Sequence, residues 1–462
     1  MALELERRRP PGQVPEFAGH GARLAADFEP EPDTLDELAG GGMQPADHET
    51  RRAYRHRRAA AGALWSPNKS WIEQHRTVRC GRDILDGTHG VEVLVRKDGT
   101  DARFRGLHTC GSIWACPVCA RKISHKRREE LRTAHAAYAR IKGACYLLTL
   151  TFPHEITDKL TTTMELFTKA LQRWQNSRAY DSAFQKWGRA GSVKALEVTW
   201  GAHGWHPHVH IVVFALPGMQ ADIESIGHLR DAWIDALLNR YKKGPRKGQK
   251  RGPSLAEPHQ LNDLLLHAFD FQAGKFVTEY IAKMGKEPAP KTRELDAIKR
   301  QWTIASEATS FLEKTAVRHK DYNGITQFGL LADALENPDP AERSISRNLY
   351  RKFVEVFDGK RQLTWSPGLK KSLNLKEIHD EEIAAGQHQK PDEEFCARLF
   401  ADDWRVILQH DKYDAPYLLR HTAAKYGEAG VRAFLAELRN RAPPGKGTFA
   451  ELHDSRPENW AR

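Results

Sequence analysis

The chain has 462 residues, with 71 Lys and Arg against 60 Asp and Glu and a formal net charge of +11. No apolar run approaches the roughly 20 residues that a membrane-spanning helix needs, which excludes a helical integral membrane protein. Met1–Pro11 is arginine-rich without an apolar core, so no secretory signal is expected, and the cysteines are expected in a reduced, cytoplasmic setting.

Residues 1–55 mix Pro, Gly, Asp and Glu with few aromatics and read as a disordered tail. Residues 70–142 hold a cysteine cluster and a basic helix from about Ile123 to Ile141, ahead of Gly143. Cys110, Cys116 and Cys119 lie close in sequence, with Cys80 about thirty residues earlier. A Cys-X-X-Cys turn places two thiolates on one cation, and two further ligands close a tetrahedral zinc site. Cys80 is the expected fourth ligand, with His108 as its rival, while Cys145 and Cys396 read as core thiols.

From 143 to 288 the pattern gives strand 145–152, helix 158–178, strand 192–200, strand 206–214, helix 219–241, strand 265–272 and helix 275–285. That order, βαββαβ followed by a helix, is an α+β, ferredoxin-like plan with an antiparallel sheet. Side chains alternate along a strand, so His206, His208 and His210 share one face while Val209, Ile211 and Val213 face a core. A hairpin closing around Ala202 and His203 sets Glu197 opposite His208; a slip of one residue would send Glu197 to the other face. Glu197, His208 and His210 form a mixed carboxylate and imidazole set that suits Mn²⁺ or Mg²⁺ in phosphate chemistry, with Zn²⁺ also allowed by ligand type.

Within helix 275–285, Tyr280 and Lys283 occupy neighbouring positions of one face. Taken alone, Phe276, Val277, Tyr280, Ile281 and Met284 read as the buried stripe of an amphipathic helix. A phenol activated by a metal-polarised phosphate and a nearby ammonium is the alternative. Two basic runs, Arg121–Arg128 and Lys242–Arg251, are candidates for salt-sensitive DNA contact: in the second, Lys242, Lys243, Arg246, Lys247, Lys250 and Arg251. Beyond Pro288, residues 289–462 read as mostly helical. Helices are expected over Glu294–Ala316, Glu342–Phe357 and Asp402–Leu438, the last with breaks at Gly427 and Gly430, and a short strand over Gln362–Trp365.

Three motifs arrive in a known order: Tyr146-Leu-Leu-Thr-Leu-Thr-Phe-Pro153, the His-hydrophobic-His at 208–210, and Tyr-X-X-Lys at 280–283. In these the chain resembles the HUH endonuclease superfamily and, within it, the single-tyrosine rolling-circle plasmid replication initiators. The resemblance implies that His208 and His210 ligate a metal and that Lys283 accompanies Tyr280. Tyr280 would nick one DNA strand, join its 5′ phosphate and leave a 3′ hydroxyl for a polymerase. It further implies plasmid origin DNA, single-stranded at the nick, as substrate, a host helicase and polymerase as partners, and a cysteine-rich segment ahead of the first motif. Some such initiators carry an acid one helical turn before the tyrosine. Here that position is Phe276, and the nearest acid is Glu279. A transposase or relaxase on the same core, and a zinc-containing DNA-binding regulator with an inert tyrosine, are the competing readings.

Overall fold

The computed structural model describes residues 45–85, 89–252, 261–273, 324–386 and 390–441. Its centre is a five-stranded antiparallel sheet of order β6-β3-β5-β4-β7, formed by β3 (Ala144–Thr151), β4 (Arg189–Gly201), β5 (Gly204–Ala215), β6 (Phe269–Ala273) and β7 (Leu363–Trp365). A smaller sheet, β2-β1-β8, combines β1 (Val91–Arg96), β2 (Ala102–Arg105) and β8 (Glu393–Leu399). The fold is α+β with antiparallel sheets and many helices, as the pattern led us to expect.

The longer helices are α1 (Pro45–Leu64), α2 (Pro117–Arg140), α3 (Leu160–Gln175), α4 (Arg178–Lys186), α5 (Ile223–Leu238), α6 (Gln327–Glu336), α7 (Pro340–Phe357), α8 (Ala401–Gln409) and α9 (Ala415–Asn440). From β3 to β6 the elements run strand, two helices, two strands, helix, short helix (Leu261–His267), strand. One face of the central sheet carries Leu148, Leu150, Val198, Val209 and Ile211 into a core shared with Phe167 and Trp174 of α3 and Trp233 of α5. The strand period of two therefore sends Leu147, Val193, Val212 and Phe214 to the other face. There Leu131, Ala134 and Tyr138 of α2 cover them. Pro207 sits in β5 without breaking the ladder: β3 ends at the preceding rung, Thr151 opposite His208, and the Pro207 carbonyl accepts from Phe152 N.

The sequence reading differs from the fold in several places, among them the following three, the helix expected over Asp402–Leu438 also being broken at 410–414. Residues 45–55, read as tail, form the first half of α1. Its Arg51 and Arg55 reach the buried Asp414 at 2.7 and 2.6 Å, and those ion pairs hold a segment whose composition alone does not order it. Within 289–462 the mostly helical reading misses β8, which pairs with β1 across some 300 residues of sequence; a partner so distant leaves no local signal. The Gln362–Trp365 strand does form, as β7 against β4. Third, α9 kinks at Gly427 (φ 60°, ψ −151°), whereas Gly430 stays helical. Helix 294–316 lies outside the described residues.

The Arg103 fork on β2 grips Glu393 on β8 at 2.8 and 2.6 Å, and these hydrogen bonds hold the Glu393 carboxyl down at about 2. A carboxyl held low contributes stability above its unfolded value, near 4.3, and loses it as pH falls through the folded value. Glu393→Gln should cost about 2 kcal/mol at pH 7. Urea unfolding should show that deficit shrinking as pH drops from about 4 towards 2.

Candidate metal centre and nucleic-acid interface

The β4–β5 register pairs Gly201 with Gly204, Thr199 with His206, Glu197 with His208 and Ala195 with His210. The hairpin thus closes around Ala202 and His203, and Glu197 shares a face with His208 and His210. Glu197 Oε2 lies 3.2 Å from His208 Nε2 and 3.6 Å from His210 Nε2. The three donor atoms fall within 4.8 Å of one another. Burial works against ionisation of Glu197, yet the two imidazoles outweigh it and hold the carboxyl well below the usual carboxylate range. Glu197 Oε2 and His210 Nε2 are buried and make no hydrogen bond. Buried donors and acceptors in that state are costly unless something else occupies them, and one shared cation would satisfy both. The donor set therefore fits a divalent metal.

Access comes from the His208 side, whose side chain is 16% exposed against 4% for His210. Thr149, opposite His210 on β3, was not singled out from the sequence, yet its Oγ1 lies 3.0 Å from His210 Nδ1. With Nδ1 engaged there, His210 is oriented with Nε2 towards Glu197, the way a carboxylate or hydroxyl usually aims a ligating imidazole. Its only sequence signal is the two-residue alternation of Thr149 and Thr151 in an apolar strand. His206 is not among the grouped donors, though its ring stands 5.4 Å from that of His208 and 4.6 Å from that of His154, and burial leads the influences that lower its pKa to about 3.

The cysteines converge as well. Cys80 Sγ lies 3.7 Å from Cys116 Sγ and 3.6 Å from Cys119 Sγ, and Cys110 Sγ lies 3.6 Å from Cys119 Sγ. Four sulfurs bonded at about 2.3 Å to one tetrahedral ion would stand about 3.8 Å apart, so this spacing fits a metal. Burial pushes the Cys110 and Cys116 thiols up, and a thiolate cluster there needs a cation to form. Cys80, not His108, completes the set. Gly81 takes φ +71°, and the Arg57 guanidinium occupies the place where a side chain at this position would begin. Replacing Cys116 and Cys119 with Ser should reduce metal in the purified protein, measured by elemental analysis, from about one bound zinc per chain to a small fraction of that. Retention of zinc in this variant would contradict the four-cysteine site.

The basic runs fare differently. In Arg121–Arg128, Arg127 bonds Glu130 within α2 and Asp380, and Lys122 donates to the Ala384 carbonyl, so these cations fasten α2 to the short helix Asp380–Ala385. Lys242, Lys243, Arg246, Lys247, Lys250 and Arg251 instead lie exposed on a hairpin loop after α5, closed by the single Arg240–Lys250 bridge. Tyr280 and Lys283, with Phe276 and Glu279, lie outside the described residues. Among the described residues no helix is long and apolar enough to cross a membrane.

Residues 102–229 match the family model described as a replication protein, a stretch that contains Cys110, Cys116 and Cys119, Thr149 and the whole Glu197, His208, His210 centre. This stretch is similar to the replication proteins. The resemblance to plasmid replication initiators drawn from the motifs stands on this match, and the HUH superfamily is consistent with it. The chain is 28% identical to a protein named rep from Streptomyces lividans, over 63% of this chain and 69% of that one. It is 32% identical to a protein named as a neomycin resistance protein from Streptomyces cyanogenus, over 28% of this chain. Of that second relative the match spans only 35%. No solved structure matches the chain.

Proposed function

We propose that this replication protein is an HUH-type, metal-dependent DNA strand transferase that nicks a plasmid origin with Tyr280 and so initiates rolling-circle replication. The observation that carries the reading is the convergence of Glu197, His208 and His210 on one face of the sheet. The strand order β6-β3-β5-β4 supports it, because it is the order 4-1-3-2 of a ferredoxin-like βαββαβ core. The tether to the nucleophile is long enough. Ala273 ends β6 opposite Tyr146, three rungs along and two strands across from His210, a separation of roughly 14 Å. Seven residues lead from Ala273 to Tyr280: two extended steps and five along the expected helix reach roughly 14 Å, and the tyrosine side chain extends beyond that.

In this reading the catalytic core is 143–288, preceded by a zinc-stapled segment at 70–142 and followed by an accessory region at 289–462. Glu197, His208 and His210 would hold Mn²⁺ or Mg²⁺, which when bound supplies Lewis-acid polarisation of the scissile phosphate. Tyr280 Oη attacks phosphorus as its proton is lost, a phosphotyrosine bond forms, and the bond to the 3′ oxygen breaks. That oxygen leaves as the 3′ hydroxyl on which a host polymerase extends while a host helicase unwinds. Lys283, one helical turn on, offsets the negative charge that builds on the phosphate. Thr149 keeps His210 aimed.

The test is incubation of the protein with supercoiled plasmid, or with a 5′- or 3′-labelled single-stranded origin oligonucleotide, with Mn²⁺ or with EDTA. Nicking and a protein-linked DNA band in Mn²⁺ alone are expected. DNA that is bound but never cut would overturn the enzymatic reading in favour of a zinc-containing regulator.

A further inference from the structure

The loop Arg240–Gly252 lies beyond the stretch that matches the replication-protein family model, and nothing in the nicking chemistry requires it. Seven of its thirteen residues are Lys or Arg and none is Asp or Glu, which concentrates much of the chain's excess charge in one finger. The finger is ordered by its own backbone. Tyr241 N donates to Gln249 O, Gly248 N to Tyr241 O, Lys247 N to Gly244 O and Arg251 N to Asn239 O. Gly244 and Gly248 supply the left-handed turn positions at φ 79° and 85°, and Asn239 supplies the left-handed cap of α5 at φ 50°.

Its position follows from α5. That helix starts beside the foot of the sheet, where Ala221 N donates to Tyr146 Oη, and by Trp233 it has reached the metal end, where the indole donates to Thr151 O at 3.3 Å. Thr151 is the rung opposite His208. Leu238, five residues on, carries the finger roughly 7 Å further past that end. The finger therefore projects from the same end of the molecule as the metal centre.

We propose that this finger grips double-stranded DNA flanking the nick, by phosphate contacts from a hairpin loop lodged against a groove. The proposal rests on the nicking reading above. Two features favour a duplex over the single strand at the nick. Proteins that hold single strands present open aromatic faces for base stacking. The one aromatic of this finger, Tyr241, has its ring flanked by the Arg246 and Arg251 guanidinia at 5.2 and 5.5 Å, and the loop offers no open platform. A hairpin loop held by its own backbone bonds is also compact enough to enter a groove, and a dense row of cations suits its phosphate walls.

The experiment compares the full-length wild type with a Lys243→Gln, Arg246→Gln, Lys247→Gln variant by fluorescence anisotropy. The probes are a 20-base-pair duplex and a 20-nucleotide single strand, each titrated across KCl. For the duplex, affinity should fall at least tenfold near 100 mM salt. The slope of log K against log salt should flatten by about 2 to 3, one unit per lost phosphate contact. For the single strand the loss should stay under threefold. A Lys243→Arg, Arg246→Lys, Lys247→Arg variant, which keeps the charge, should hold the duplex as wild type does, separating charge from folding. Unchanged duplex affinity and slope, or an equal loss on the single strand, would overturn the proposal. Cleavage by a Tyr280→Phe variant would instead defeat the nicking reading and leave these binding results standing.

Discussion

Tyr280→Phe should lower strand cleavage by at least 10³-fold while DNA affinity changes less than threefold. The substitution removes one oxygen and leaves the ring, so packing is conserved and only the nucleophile is lost. Single-turnover cleavage of a labelled origin oligonucleotide in Mn²⁺ gives the rate, and anisotropy gives the affinity. Lys283→Met in the same assay should lose less, on the order of 10-fold to 100-fold, because it removes stabilisation of developing charge and leaves the bond-forming atom in place. If the two variants lost equally, or if Phe at 280 cut at the wild-type rate, the division of labour between nucleophile and cation would be wrong.

Replacing both His208 and His210 with Ala should cost cleavage at least 10²-fold and abolish saturable Mn²⁺ binding measured by calorimetry. Glu197 would be left buried and charged beside two small side chains, whereas in the wild type both imidazoles face its Oε2. Melting temperature with and without Mn²⁺ reports on the site independently of activity: Mn²⁺ should raise it in the wild type and leave the variant unmoved. Thr149→Val keeps the shape and removes the hydrogen bond to His210 Nδ1. It should weaken Mn²⁺ binding about 10-fold to 100-fold, and Thr149→Ser should recover most of the loss. Full Mn²⁺ affinity in the Val variant would mean that the Thr149 contact does not orient the ligand.

The candidate metal centre was legible in the sequence because both of its constraints are local. Alternation put His208 and His210 on one face, and a two-residue hairpin loop fixed Glu197 against them. The four cysteines were legible for the same kind of reason in Cys116 and Cys119, one helical turn of α2 apart. Cys80 could be settled against His108 only by the fold, which brings Gly81 N onto the His108 carbonyl and Cys80 Sγ onto the cluster. Where partners lie far apart in sequence, the reading ran out. Nothing near Glu393–Leu399 announces that it pairs with Val91–Arg96, and nothing near Arg51 and Arg55 announces Asp414. Thr149 was overlooked because a threonine in a strand is ordinary; only its rung opposite His210 gives it a role. The basic runs show that charge alone does not separate function from packing. Arg127 is spent on Glu130 and Asp380, while in Arg240–Gly252 Lys242 pairs with Asp235 and Lys243, Arg246 and Lys247 stand exposed on a loop.

The central claim, that Tyr280 forms the covalent link, is tested most directly by trapping the protein on a single-stranded origin oligonucleotide in Mn²⁺. The adduct is then digested with protease and nuclease, and the nucleotide-bearing peptide sequenced by mass spectrometry. A 5′-phosphonucleotide on Tyr280, absent when Mn²⁺ is replaced by EDTA, is the predicted result. A nucleotide on any other residue, or cleavage with no peptide-linked nucleotide at all, would contradict it.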